Sequence, residues 1–344
     1  MNRAGRPRRS ARRIVAAAVI VFTTFIAGGT AHADPAGPTD YRSEILTIEP
    51  PTETVTIEVI GGDSFIQLTV EPGTEVLIKG YFGEPYLRFL TDGTVEENRN
   101  SPTTYQNEER YGSDAPDFAS ADADPDWVPV GDDGTFAWHD HRAHWMQPIR
   151  PAGQEPGDRI VEAVIPILVD DVEVEVTVIS TWQPEPSVVP ALLGGIVGAL
   201  SVGTAIWLSR RTSAWAVALI PVALAATIAG WWQFTSLPAE TDPRLVWPLL
   251  PSLALIASVA ALPLRRHSAF TALAAGLVAS SQLMIWAFVK RDGLTAAIVP
   301  TNAPQWFERL VLVAAFVAGV GGTAIALVRL FSKNPGTRAV AATT

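Results

Sequence analysis

Five long apolar runs fill the second half of the chain. They lie at about Val188–Leu208, Ala214–Trp232, Leu245–Leu264, Ala269–Val289 and Leu310–Leu330. Each run has about the 20 residues that an α-helix needs to cross a bilayer. Short loops separate the runs, and soluble proteins rarely contain five such helices in succession. The pattern therefore predicts an α-helical membrane bundle of five spans over residues 188–331.

The first half of the chain alternates β-branched and polar residues. The stretch "TVTIEVIGGDSFIQLTVEPGTEVLIKGY" is broken by Gly-Gly-Asp and Pro-Gly, and Asp92-Gly93 lies between two extended runs. Alternation with turn residues between the runs is typical of antiparallel strands. We expect an all-β domain of seven or eight strands over residues 34–183, an immunoglobulin-like or cupredoxin-like β-sandwich. No helix is expected in it, and residues 98–126 are expected to form a long loop.

The two ends of the chain and the junction complete the predicted organisation. The basic "MNRAGRPRRSARR", the apolar "IVAAAVIVFTTFIAGG" and the Ala31-x-Ala33 site indicate a signal peptide over residues 1–33, with an uncleaved anchor helix as the alternative. Residues 184–187 form a short proline linker. Residues 332–344 would be a cytoplasmic tail.

Charge separates the two halves further. Residues 34–187 carry 31 Asp and Glu against 8 Lys and Arg, whereas residues 188–344 carry 4 against 11. The acidic half argues against nucleic acid as a partner. Basic residues follow the first, third and fifth spans, which places these loops in the cytoplasm and the β domain outside. We therefore expect a multi-pass plasma-membrane protein whose partner is the lipid bilayer.

Histidine is concentrated in one segment of the predicted β domain. "FAWHDHRAHWM" contains three of the five histidines in the chain. We expect a strand from Thr135 to about Arg142, on which His139 and His141 project to the same side. His144 and Met146 follow close enough to fold back toward that pair. The chain has no cysteine, so a metal here would be bound through imidazole, with a thioether as an additional ligand.

These ligand types favour copper, with zinc as the alternative. Asp140, Arg142, Trp138 and Trp145 are expected to surround the ligands and orient them. Two other interpretations remain: a structural cluster of His, Asp, Arg and Trp, and a surface that recognises a protein or a lipid.

The chain resembles a group of uncharacterised actinobacterial multi-pass membrane proteins. The resemblance rests on "GEPYLRFLTDGTVEENRNSPTTYQNEERYG", on the W-H-D-H-R-x-H-W-M motif of "WHDHRAHWM", and on the order of signal peptide, exported domain and C-terminal spans. It covers most of the exported domain. It implies a setting near exported copper-handling proteins, and it implies no established activity.

Three functional hypotheses follow. The first is a membrane-anchored extracytoplasmic protein that binds a transition metal in envelope metal handling or sensing, with other envelope or copper-handling proteins as partners. The second is an envelope scaffold or interaction protein with a structural His/Trp cluster. The third is a transporter component. An enzyme is disfavoured, because the chain has no G-x-S-x-G, H-E-x-x-H or phosphate-loop motif and no catalytic residue is assigned.

Overall fold

A computed structural model describes residues 35–332. The predicted signal peptide, 1–33, and residues 333–344 of the predicted tail lie outside the described residues. The described chain begins with a β-sheet-rich region and continues into long apolar helices. This order of elements confirms the predicted succession of a β-sheet-rich region and a region of long apolar helices.

Ten strands form two antiparallel sheets within residues 35–332. The strands are β1 Tyr41–Glu49, β2 Val55–Ile60, β3 Phe65–Val70, β4 Val76–Lys79, β5 Pro85–Phe89, β6 Val95–Asn98, β7 Trp127–Gly131, β8 Thr135–Trp138, β9 Arg159–Val169 and β10 Val172–Trp182. The larger sheet has seven strands in the order β1-β10-β9-β4-β5-β6-β7, and the smaller has three in the order β2-β3-β8. The apolar residues of both sheets pack into one core, which includes Ile66, Leu68, Ile78, Leu87 and Ile167.

Turn chemistry explains the two predicted hairpins. β9 and β10 pair from Val169–Val172 to Arg159–Thr181, and both turn residues, Asp170 and Asp171, have positive φ. Aspartate tolerates this left-handed conformation better than most residues do. β5 and β6 are joined across Gly93, whose φ is also positive.

Two features of the β region differ from expectation. The strand number is ten rather than seven or eight. A short helix, α1 at Pro102–Gln106, lies in the stretch expected to be a loop without helix. The Ser101 side chain accepts a hydrogen bond from the Thr103 amide, and Pro102 occupies the first turn, so local capping initiates this helix. Its five residues are too few to produce a helical period in the sequence.

The second half contains helices α2 Val189–Ser209, α3 Ile220–Thr235, α4 Val246–His267, α5 Ala269–Val289 and α6 Gln305–Ser332. A 3₁₀ turn at Trp215–Leu219 leads into α3. With it, the described residues contain five helices that are long and apolar enough to cross a membrane. Glycine allows close packing between them: a Cβ added at Gly194 would overlap the Leu310 carbonyl, and one at Gly319 would overlap the Met284 backbone.

The β region packs on one end of the helical bundle. The backbones of Thr39 and Ile298 exchange two hydrogen bonds of 2.9 Å. The Ala137 amide donates to Glu240 Oε1 at 3.0 Å, which ties β8 to the loop between α3 and α4. Phe65 of β3 belongs to a small apolar cluster with Trp247 of α4. The helix ends thus form a platform beneath β3 and β8.

Basic residues separate by position along the bundle. Arg210, Arg211, Arg265 and Arg266 lie at helix ends remote from the β region. Four basic residues, Arg244, Lys290, Arg291 and Arg309, lie at the end next to the β region, and of these Lys290 and Arg309 are buried. Lys290 Nζ pairs with Glu308 Oε2 at 2.7 Å, and Arg309 donates to the carbonyls of Ala296 and Ala297. Lys290 and Arg309 therefore make their polar contacts inside the protein rather than with solvent.

Candidate metal centre

The histidine segment is a strand followed by a tight turn. β8 ends at Trp138, and residues His141–Ala143 form a 3₁₀ turn. The expected strand from Thr135 to about Arg142 is therefore wrong in its second half. The Asp140 side chain accepts a hydrogen bond from the Arg142 amide, which caps the turn and ends the extended conformation. His139 and His141 do not share a strand face.

The turn nevertheless brings the three imidazoles together. The ring centroids of His139 and His144 are 4.6 Å apart, and that of His141 lies 5.6 Å from each. One ligand nitrogen from each ring lies within 4.8 Å of the other two. His139 and His144 are buried, with 4% and 1% of their surface exposed, whereas His141 is half-buried. The expected return of His144 toward the pair thus occurs, but through a turn.

Backbone carbonyls fix the orientation of two of the rings. His141 Nε2 lies 3.0 Å from the Glu109 carbonyl, and His144 Nδ1 lies 3.0 Å from the Trp145 carbonyl. A carbonyl only accepts, so each of these nitrogens carries the proton of a neutral imidazole. The lone pairs are then left on His141 Nδ1 and His144 Nε2. This is the pattern by which proteins orient histidine ligands around a metal.

His139 provides the least satisfied ring of the three. Its ring packs edge-on against Phe65 at 5.7 Å, and the Ser64 backbone lies near enough to favour the protonated ring. Among the described residues, no group forms a hydrogen bond of acceptable geometry with either of its ring nitrogens, nor with His144 Nε2. A buried nitrogen without a partner costs stability, because its hydration is lost and not replaced. His144 Nε2 and the unprotonated nitrogen of His139 are therefore available to a metal.

Burial also keeps the rings neutral. Desolvation lowers the pKa of His139 to about 3 and that of His144 to about 2, and the cation of Arg110 acts in the same direction on both. The pKa of His141 is lowered by burial as well. A metal ligand must be unprotonated, so the three rings are in the required state at neutral pH.

The nitrogen spacing allows a metal to be bound with small movements of the rings. An ion at the centre of a triangle with sides of 4.8 Å would lie about 2.8 Å from each corner, whereas a Zn–N bond is about 2.0–2.1 Å. Each nitrogen would have to move inward by up to about 0.7 Å to reach that bond length. Small rotations of the side chains accomplish such a movement.

Asp140, Arg142 and Trp138 form a network that supports the turn. Arg142 Nε and Nη2 donate to the two Asp140 oxygens at 2.9 and 2.8 Å, and Trp138 Nε1 donates to Asp140 Oδ2 at 3.0 Å. Arg142 also donates to the Lys79 carbonyl. Within residues 35–332, these three side chains make no hydrogen bond to the imidazole rings. They lie under the turn and orient the histidines through the backbone.

A second ion pair, Arg110–Asp63, lies close enough to act on the rings. Arg110 Nη2 contacts Asp63 Oδ2 at 2.5 Å, and the Asp63 side chain is fully buried. Thr39 donates to the same carboxylate, whose pKa is raised by desolvation. The position of Arg110 matters because its cation disfavours further positive charge on His139 and His144.

Trp145 and Met146, the other predicted site residues, follow His144 directly in the chain. Trp145 contributes its backbone carbonyl to His144, while its indole donates to the Ile149 carbonyl at 2.7 Å. Met146 is half-buried two residues after His144. Its role as a ligand remains a prediction.

Contacts from distant parts of the chain complete the site. Tyr81 stacks on His141, with centroids 5.6 Å apart, and its hydroxyl accepts from the His141 amide at 2.8 Å. Phe65, Arg110 and the Glu109 carbonyl come from other segments. No local signal in the sequence links these residues to the histidines. Ser43 Oγ donates to the Ala143 carbonyl at 2.5 Å, which anchors the turn to β1.

Comparisons with protein-family models, with curated proteins and with solved structures give no match.

Proposed function

We propose that this protein is a membrane-anchored metal-binding protein whose β domain binds a transition metal through His139, His141 and His144. Copper is the first candidate and zinc the alternative, because imidazole suits both ions. Met146 is proposed as an additional thioether ligand that favours copper. The observation that carries the proposal is the convergence of the three imidazoles, together with the absence in the described chain of a hydrogen-bond partner for either His139 nitrogen and for His144 Nε2.

The position of the site supports a role in envelope metal handling or sensing. β3 and β8 lie directly on the helix ends, and Phe65 contacts both the His139 ring and the apolar cluster that contains Trp247. A metal bound here would therefore lie close to the membrane surface. We propose that the β domain is outside the plasma membrane, supported by the basic residues at the opposite helix ends.

The sequence resemblance to uncharacterised actinobacterial membrane proteins supports the same proposal, since it points to copper-handling proteins of the envelope as partners. A scaffold with a purely structural histidine cluster is the second candidate. It is favoured by the stacking of Tyr81 on His141 and by the two carbonyl contacts, which would also serve packing.

The position of the main cavity does not favour the third hypothesis, a transporter. A cavity of about 530 Å³ lies at the junction of the β region and the bundle. Its lining includes Arg42, Glu58 and Gln67 from strands and Asn302 from a loop that faces them. These residues belong to the β region and to the helix ends, so the cavity lies at the end of the bundle rather than within it.

Metal titration of the full chain tests the proposal. The detergent-solubilised protein is stripped with a chelator, titrated with Cu(I), Cu(II) or Zn(II), and analysed for bound metal after desalting. We expect one tightly bound ion per chain. The variant with His139, His141 and His144 all changed to Ala should retain none, whereas His267→Ala, which alters a histidine at the end of α4, should bind as the wild type does.

A wild-type protein that binds none of these ions would overturn the proposal, as would equal binding by the triple variant. The structural alternative predicts instead that His141→Ala lowers the melting temperature of metal-free protein while no ion binds to either form.

A further inference from the structure

The charge of the site's surroundings bears on which ion it accepts. Within residues 35–332, the only cluster of His, Cys, Asp or Glu with suitable geometry consists of the three histidines. Neutral imidazoles bring no negative charge to an ion. A bound ion would therefore keep its full formal charge inside the β domain.

The nearest carboxylates are already neutralised. Asp140 accepts three hydrogen bonds from Arg142, two of them from the guanidinium, and Asp63 pairs with Arg110. Neither carboxylate belongs to the group of potential ligand atoms in the described chain, although Asp63 Oδ1 has no hydrogen-bond partner there. Of the fixed charges, Arg110 acts most strongly on His139 and His144 and disfavours a positive charge there, whereas Asp140 acts on His141 more strongly than Arg110 and in the opposite direction.

Because the site is buried, the charge of the bound ion strongly affects its binding free energy. The free energy of transferring an ion from water into a medium of low dielectric constant rises with the square of its charge, so a divalent ion costs about four times as much as a monovalent one of equal size. Repulsion by Arg110 also doubles for a divalent ion. Sites for divalent ions offset these costs with carboxylate, thiolate or bound hydroxide.

We infer that the three-histidine site selects monovalent copper, Cu(I), over Zn(II) and Cu(II). This inference rests on the proposed function, since it names the ion that the same site takes. Sodium, potassium and the other hard ions prefer oxygen ligands and do not compete for imidazole. Cu(I) combines a single charge with an affinity for nitrogen and sulfur, and Met146 would add a soft ligand. Ag(I) shares this chemistry and cannot be reoxidised in air, so it serves as a second probe.

Competition titrations test the inference. The full chain in detergent is titrated anaerobically with Cu(I) in the presence of bicinchoninate, and separately with Zn(II) and Cu(II) against chelators of known affinity. We expect Cu(I) to bind at least about a hundredfold more tightly than Zn(II), and Ag(I) to displace Zn(II) completely. Zn(II) or Cu(II) binding as tightly as Cu(I) would overturn this inference and leave the proposed function standing. Binding of no ion would overturn both.

Replacing the Arg110–Asp63 ion pair with neutral residues tests whether the charge of Arg110 contributes to the preference for Cu(I). Asp63→Asn with Arg110→Gln removes the cation without leaving a carboxylate unpaired. Because the divalent ion feels twice the repulsion, we expect the preference for Cu(I) over Zn(II) to fall by about tenfold. The matched control, Lys79→Gln with Glu173→Gln, removes an exposed ion pair of the same domain and should leave the preference unchanged.

A ligand substitution keeps the test informative if the double variant does not fold. His141→Glu introduces a negative ligand at the least buried of the three positions. We expect it to invert the order, so that Zn(II) binds more tightly than Cu(I). If the order stays as in the wild type, the charge argument fails, even if the site still binds metal.

Discussion

The imidazole rings of His139 and His144 lie 4.6 Å apart between centroids, and both are almost completely buried. Two cationic rings at this distance would repel each other and would both be desolvated. Burial accordingly lowers the pKa of His139 to about 3 and of His144 to about 2. This relationship links the stability of the metal-free protein to pH.

Metal-free protein should lose stability as the pH falls below about 6.5, the ordinary pKa of histidine in the unfolded chain. Between about pH 6.5 and pH 3, the unfolded chain binds protons at His139 and His144 while the folded chain does not. Each histidine then reduces the free energy of unfolding by up to about 1.4 kcal/mol per pH unit. Melting temperatures of chelator-treated protein measured from pH 7.5 to pH 5 test this dependence.

The double variant His139→Gln/His144→Gln isolates the contribution of the two rings. It is expected to be less stable than the wild type at pH 7.5, and the gap should narrow as the pH falls because the variant lacks both titrating groups. His267→Gln should follow the wild-type profile. A gap that stays constant with pH would show that the rings do not remain neutral in the folded state.

Metal affinity should depend weakly on pH. For three exposed histidines, proton competition at pH 5.5 would reduce the affinity by roughly 1000-fold relative to the fully unprotonated site. Because the pKa values of His139 and His144 are already depressed and that of His141 is lowered, we expect less than about a tenfold change between pH 7.5 and pH 5.5. Competition titrations with the most tightly bound ion at the two pH values measure it. A loss near that of exposed histidines would contradict the burial argument.

The sequence predicts the helical half of the molecule better than the site. The five spans follow from length and apolarity alone, and the observed helix bounds differ from the expected ones by a few residues. The proximity of the three histidines follows from their spacing. Their geometry could not be predicted, because it depends on Asp140, whose side chain caps a turn where period-two alternation suggested a continued strand.

The other features of the site that the sequence does not predict depend on contacts between residues far apart in the chain. Tyr81 is 60 positions from His141 and reaches it because the two sheets face each other across one core. The carbonyl of Glu109 is a backbone group, so its residue type carries no information about the contact. A single sequence shows neither relationship. The burial of the rings, on which their pKa values depend, is likewise a property of the packed domain.

Breaking the Asp140–Arg142 pair should destabilise the β domain and weaken metal binding. Arg142→Gln leaves the fully buried Asp140 carboxylate without its cation, which costs about 3–5 kcal/mol in comparable buried pairs. The turn that carries His141 would also lose the contact with the Lys79 carbonyl. Thermal unfolding and metal titration measure the two effects.

The exposed pair Lys79–Glu173 provides the control for this substitution. Glu173→Gln removes a contact of 2.8 Å between side chains that are 28% and 63% exposed. Exposed pairs contribute little to stability, so this variant should melt within a few degrees of the wild type and bind metal normally. Equal effects of Arg142→Gln and Glu173→Gln would show that the buried pair does not support the turn.

Removing one partner of the Lys290–Glu308 pair should destabilise the protein because it leaves a buried charge unpaired, whereas the attraction between the two charges should contribute little. Both side chains are buried, at 6% and 3% exposure, and the Lys290 ammonium lies 4.7 Å from the centre of the Trp286 ring. Glu308→Gln leaves that ammonium without its anion and should reduce the free energy of unfolding by about 3–5 kcal/mol. Lys290→Met/Glu308→Leu removes both charges and should be much closer to the wild type in melting temperature, because apolar side chains of similar size fill the same space without an unpaired charge. If the double variant unfolds as early as Glu308→Gln, the ion pair itself, rather than the avoidance of a lone buried cation, stabilises the junction where α5 and α6 meet the β region.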